Sequence, residues 1–243
     1  MRTRTKVSGM RERNWLIFFA IPGVILLLAL GSWQTYRLFW KLELNNFRSE
    51  QVDSQPVMLP REIVDKDNWN FRPVYVDGQF QHEHEIYLAA RSFRSQVGYQ
   101  IITPLETLDG RIILINRGWV PESKKDPVTR LEGQVSGVTR VNGLITFGQT
   151  DSFMKPENRP IENIWFWIDL DRISLTLNIP KQNFIIDMKV SKSSNTLPIG
   201  GQTRIEMRNE HFQYAMVWFL LAVALAVITY IIRRRAKSEI KKE

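Results

Sequence analysis

The chain has 243 residues, a formal net charge of +8 and no cysteine. Residues 1–36 carry five basic and one acidic side chain, residues 211–243 carry six and two, and residues 37–210 carry 22 of each. A nucleic-acid-binding face needs cations clustered on the folded domain, so this distribution excludes that class, and the missing thiols exclude disulfides and thiolate copper or zinc sites.

The first element is an apolar stretch without a full charge, Trp15 to Tyr36, behind Arg2, Arg4, Lys6, Arg11 and Arg13. At about 1.5 Å per residue it spans roughly 33 Å, enough for a bilayer core of about 30 Å. A second uncharged stretch, His211 to Ile232, is followed by Arg233, Arg234, Arg235, Lys237, Lys241 and Lys242. Both are expected to be transmembrane helices, and the flanking cations place both termini in the cytoplasm. The expected layout is a cytoplasmic tail (1–14), a first span (15–36), an external domain (37–210), a second span (211–232) and a basic cytoplasmic tail (233–243). A competing reading treats the first span as a cleaved secretory signal, with Ala29-Leu30-Gly31 as the processing site. Pro22-Gly23 is a kink position that membrane helices tolerate.

Beyond Trp33, helix-forming residues predict that the first helix continues until Pro56 and Pro60. After a short helix or loop at residues 61–70, strands are predicted at 72–80, 85–91, 98–106 and 111–120. Asp109-Gly110 between the last two predicts an antiparallel hairpin. Further strands are predicted at 135–146, 164–170 and 183–190, a short helix within 169–179, and a flexible return loop at 191–204. The expected fold is two transmembrane helices flanking an antiparallel, β-dominated external domain, barrel- or sandwich-like, with one or two short helices.

Catalytic signatures are missing: there is no nucleophile elbow, phosphate loop, Rossmann glycine pattern or His-Glu-x-x-His. The expectation is therefore a protein that is not an enzyme. His82-Glu83-His84 is a metal candidate, because histidines at i and i+2 of an extended chain point the same way. Its bland alternative is a solvated turn. His211 shares a helical face with Tyr214, Ala215 and Trp218. Two readings stand: an axial ligand site for haem iron beside the small Ala215, or an interfacial belt of polar-tipped rings. At the matching end of the first span, Trp33, Arg37 and Trp40 form one stripe and Gln34, Arg37 and Lys41 another. Arg37 and Lys41 either meet an anion, such as a lipid phosphate or a haem propionate, or extend to the headgroups.

Residues 30–41 (LGSWQTYRLFWK), 71–80 (FRPVYVDGQF), 98–121, 156–170 and 209–219 (NEHFQYAMVWF), in that order, resemble the surfeit-locus family of cytochrome c oxidase assembly factors. The resemblance implies a two-span membrane protein; residues 1–13 are basic and run directly into the first span, which fits a bacterial cytoplasmic (inner) membrane better than a mitochondrial import signal. Its external, periplasmic domain would aid haem–copper oxidase biogenesis, working with oxidase subunit I and other assembly factors in the bilayer. It also implies haem A as cofactor, with His211 of the Asn-x-His-x-x-Tyr-Ala motif as ligand, Tyr214, Ala215, Trp218 and Trp33 around the macrocycle, and Arg37 and Lys41 on the propionates. Val217 stands where the family often has Thr. The rival class is a scaffold that binds no haem and stabilises a subunit I intermediate by protein contacts. Arg117, Trp119 and Asp169 lie in matched motifs; they either dock a partner or form a buried Arg–Asp pair and a core Trp.

Overall fold

A computed structural model describes residues 4–148, 155–190 and 196–240, with side chains described between 18 and 235 of these. The basic side chains preceding Phe18 or following Arg235, and residues 191–195 of the expected return loop, lie outside them. The chain forms two units, one of residues 1–46 with 206–243 and one of residues 47–205.

The first unit is a helix pair. Helix α1 runs Arg4–Asp53 with Pro22 inside it, and its last seven residues belong to the second unit; helix α4 runs His211–Ile240. Both are long and apolar enough to cross a membrane. Among the residues of α1 shielded from solvent, one line recurs at alternating steps of four and three: Ala20, Val24, Leu27, Gly31, Gln34, Leu38, Lys41, Asn45. On α4 the same rhythm gives His211, Ala215, Trp218, Ala222, Leu225, Thr229. A mean step of 3.5 residues is the seam of a left-handed helix pair. The backbones approach closely at Gly31, where an added Cβ would stand 2.7 Å from the Phe219 ring. The α1 seam changes from apolar to polar at Gln34, so the end of the pair that holds His211 is built to exchange hydrogen bonds.

The second unit is an eight-stranded sheet in the order β1-β2-β6-β8-β5-β4-β3-β7, with β2 also pairing β4. That extra pairing closes β2 (Pro73–Phe80), β6 (Val138–Thr146), β8 (Ile185–Met188), β5 (Ile112–Pro121) and β4 (Gln96–Thr107) into a five-stranded barrel. Of the two expected architectures the barrel holds and the sandwich does not. The sheet is also not purely antiparallel. Strand β8 runs parallel to β5, β1 (Val57–Met58) parallel to β2, and β7 (Ile164–Trp165) parallel to β3 (Ile86–Phe93). The β4–β5 hairpin turns at Asp109-Gly110 as expected, with Gly110 at φ +80°.

Alternation divides the core. Ile113, Ile115 and Ile186 face the barrel interior with Val74, Val76, Phe80, Leu105, Val141 and Ile145. Leu114 and Ile185, one residue out of phase, join Ile86, Leu88, Ile102 and Trp165 beneath helix α3 (Leu170–Leu177). Burial on both faces explains why β5 reads as an almost unbroken apolar run. Helix α3 presents Leu170, Ile173 and Leu177 to that layer, starts at an Asp169 cap and ends at Asn178 in the left-handed conformation.

Two expected elements differ. The strand at 164–170 pairs only over Ile164–Trp165, because buried Asn158 then takes the place of a neighbouring strand. Its Oδ1 accepts from the Phe166 and Trp167 backbone N–H groups and its Nδ2 donates to the Trp167 carbonyl. Within the expected flexible loop, residues 196–201 are docked: Ile199 and Trp119 exchange both backbone hydrogen bonds at 2.8 Å. Gly118, at φ +118°, admits this close approach, since a Cβ there would lie 2.0 Å from the Ile199 carbonyl oxygen.

Candidate functional site

The polar end of the helix pair is a ladder between one face of α1 and the segment leading into α4. Asn45 clasps Met207 at two points, its Nδ2 donating to the carbonyl at 3.0 Å and its Oδ1 accepting the N–H at 3.1 Å. One turn inward Lys41 Nζ donates to the Arg208 carbonyl at 3.3 Å, and next Asn209 Nδ2 donates to the Leu38 carbonyl at 3.2 Å. The final rung joins His211 Nδ1 to Gln34 Oε1 at 2.6 Å. The α1 positions 45, 41, 38 and 34 are seam positions, so the ladder follows from helical spacing.

This geometry brings together part of the expected constellation. His211 stands at the first position of α4, and its Nε2 has no hydrogen-bond partner among the described residues and is not buried. Lys41 sits in the same ladder, so it neither stands alone nor reaches freely outward. Arg37 lies 4.4 Å from the Trp40 ring centre in a cation–π contact along α1. Ala215, only 5% exposed, lies on the seam, so its small side chain serves helix packing beside His211. Trp218 shares that seam half-shielded, whereas Trp33 and Tyr214, 54% and 53% exposed, lie on the outer surface of the pair. Asn45 is the ladder residue that the sequence reading passed over, and Gln34 and Asn209, which stood in a stripe and a motif there, gain a partner here; the signal for all three is polar side chains recurring at seam spacing. Asn209 Oδ1 is buried without a partner among the described residues, an open acceptor next to His211.

The β unit holds a second polar centre. Glu85 is buried and accepts from Arg117 Nη1 at 3.1 Å and from Arg130 Nη2, with Gln134 Nε2 donating at 3.3 Å. Arg117 also donates to the Gly133 carbonyl. Burial pulls the Arg117 guanidinium down to about 10, against the attraction of Glu85, so it remains charged at neutral pH. The expected Arg117–Asp169 pair does not form. The carboxylate partner of Arg117 is Glu85, and Asp169 caps α3 by accepting from the Arg172 N–H at 3.0 Å. Trp119 is the core residue expected, with its Nε1 donating to the Arg91 carbonyl.

The metal candidate at 82–84 is overturned. These residues form a 3-10 turn, not extended chain, so the rings are not held on one side. His82 is engaged, Nδ1 with Arg117 at 3.2 Å and Nε2 with the Val135 carbonyl at 2.9 Å. Among the described residues no group of three or more His, Cys, Asp or Glu could hold a metal ion.

A second buried carboxylate, Asp187, accepts from Asn116 Nδ2 at 2.9 Å, Thr203 Oγ1 at 2.9 Å and Thr146 Oγ1 at 3.3 Å. No cation pairs with it among the described residues, and burial pushes its carboxyl up. Through Thr203 it fixes the return segment to β5 and β6.

Comparison with known proteins follows this geometry closely. The sequence profile of the SURF1 family matches residues 21–223, which include the whole polar ladder and the whole barrel. The SURF1-like protein of Monosiga brevicollis is 30% identical over 97% of this chain and 94% of its own length. Surfeit locus protein 1 of Homo sapiens is 33% identical over 93% of this chain and 79% of its own length, and that of Rattus norvegicus 33% over 89% and 74%.

Proposed function

The chain belongs to the SURF1 family, and on that premise we propose that it is a membrane-bound, non-catalytic assembly factor for haem–copper oxidase that binds haem A and aids its placement in subunit I. The observation that carries the reading is His211: its Nδ1 is engaged by Gln34 and its Nε2 is left open. An imidazole nitrogen presented this way suits a haem iron, because the other ring nitrogen is already fixed by a neighbouring side chain.

The residues present fit the group. His211 Nε2 would hold the iron of haem A, which would supply the Lewis-acid centre. Lys41 and Arg37, outward of His211 on α1, are cations for propionates, and Lys41 has two further donors beyond its bond to Arg208. Trp218 on the seam and the exposed rings of Trp33 and Tyr214 offer apolar surface for the macrocycle. The unpartnered Asn209 Oδ1 is an acceptor that suits a polar substituent of a bound molecule. The arginines and lysines flanking the spans support cytoplasmic termini and an external β domain.

The test is purification of the full chain from cells that make haem A. A stoichiometric complex with a Soret band supports the reading. A chain that copurifies with subunit I in normal amounts and never carries haem would instead establish the scaffold role.

A further inference from the structure

We infer that Gln34 is a positioning residue. It holds His211 in the tautomer with the proton on Nδ1, so that Nε2 presents its lone pair before any ligand arrives. The functional half of this inference rests on the haem reading above; the tautomer itself does not.

The separation decides the roles of the two atoms. An N–H···O bond has a usual range of about 2.7–3.2 Å, and the 2.6 Å between His211 Nδ1 and Gln34 Oε1 lies just below it. That spacing suits an oxygen acceptor and is too short for an amide nitrogen meeting a ring nitrogen. The amide oxygen only accepts, so the imidazole must donate from Nδ1. Both side chains are held in place. Gln34 and His211 are seam residues, and the adjacent Asn209–Leu38 and Lys41–Arg208 bonds tie the two backbones together beside them.

His82 provides the opposite case within the same chain. A guanidinium only donates, so Arg117 Nη1 against His82 Nδ1 requires a lone pair there and the proton on Nε2, which donates to the Val135 carbonyl. His84, the remaining histidine, is exposed and lies 3.9 Å from Glu83. One chain with three histidines therefore contains one fixed in each neutral tautomer and one in solvent. Free neutral imidazole favours the proton on Nε2, so without Gln34 most His211 rings would carry hydrogen at the atom needed for iron.

The experiment is long-range nitrogen–proton correlation on the full chain, labelled at histidine rings in nanodiscs at about pH 8, where imidazole is neutral. We expect Nδ1–H for His211 and Nε2–H for His82. Gln34→Leu should move His211 to Nε2–H and lower haem A affinity about 10- to 100-fold, while Gln34→Glu keeps Nδ1–H. If Gln34→Leu separates the helices, Gln34→Asn shortens the reach by one methylene and serves the same comparison. A wild-type His211 protonated at Nε2, or a tautomer indifferent to residue 34, overturns the inference. A tautomer that switches with unchanged haem A affinity overturns the positioning role. Correct tautomers together with haem A binding that His211→Ala leaves intact would contradict the proposed function and leave the Gln34 assignment standing.

Discussion

Glu85 and Arg130 form an ion pair with both side chains removed from water, 2% and 0% exposed, and Arg117 shares the same carboxylate. Two guanidinium groups thus depend on one anion. Glu85→Gln would leave two buried cations with a neutral partner. Removing one member of a buried pair costs about 3–5 kcal/mol. We expect a loss of that size in denaturant unfolding of the full chain followed by circular dichroism. Replacing Glu85, Arg117 and Arg130 together by Leu, Leu and Met should cost much less, because no unpaired charge then remains.

Asp187 gives a pH dependence whose sign is fixed by burial. Its folded carboxyl lies above the ordinary value of 3.8, so the folded state holds the proton more tightly than the unfolded chain. The contribution is therefore full at low pH and lost as pH rises through the raised value. Stability should increase as pH falls from neutral toward that ordinary value. Asp77 and Asp109 oppose this at lower pH. Hydrogen bonds from Arg140 to Asp77, and from Thr107 and then Arg111 to Asp109, hold these carboxyls below the usual range, and exposure keeps their weight small. Asp187→Asn should flatten the slope in a pH series of unfolding midpoints. Asp187→Ala strands three donors and should cost about 1–3 kcal/mol.

Gly118 holds the return segment through its conformation. At φ +118° with the Ile199 carbonyl where a Cβ would go, Gly118→Ala meets both strain and collision. Backbone strain of this kind is worth about 1–3 kcal/mol. Limited trypsin digestion should cut the variant after Arg204 faster than the parent, with the barrel itself retained.

Gly31 sets the separation of α1 and α4 against the Phe219 ring. Gly31→Val should destabilise the pair by about 1–3 kcal/mol through overpacking, and Phe219→Ala in the same chain should relieve it. The chain has no cysteine, so spin labels on Phe39→Cys and Phe212→Cys, both exposed positions, report the helix separation directly. The label distance should lengthen in Gly31→Val and recover in the double variant.

The strands were legible wherever alternation or a turn dipeptide marked them, as at residues 73–80 and around Asp109-Gly110. The aromatic run at 164–168 misled because Asn158 satisfies its backbone in place of a strand, and no local pattern announces that substitution. Arg117 inside an apolar strand announced a buried carboxylate partner. Its identity did not follow, because Glu85 lies 32 residues before Arg117 and 45 before Arg130, and only the tertiary fold brings them together. At the helix pair, the i, i+3, i+4, i+7 stripe placed His211, Ala215 and Trp218 together correctly. Tyr214 turned outward because the pair winds with a 3.5-residue seam, which selects 211, 215 and 218. The Gln34–His211 contact was hidden for a similar reason, since it joins residues 177 positions apart.

Haem A ligation by His211 is most directly tested by a Soret titration of the purified full chain with haem A, comparing the parent with His211→Ala. We expect one haem per chain in the parent and an affinity lowered at least about 100-fold in the variant. Equal binding by both proteins, or none by the parent, would contradict the account.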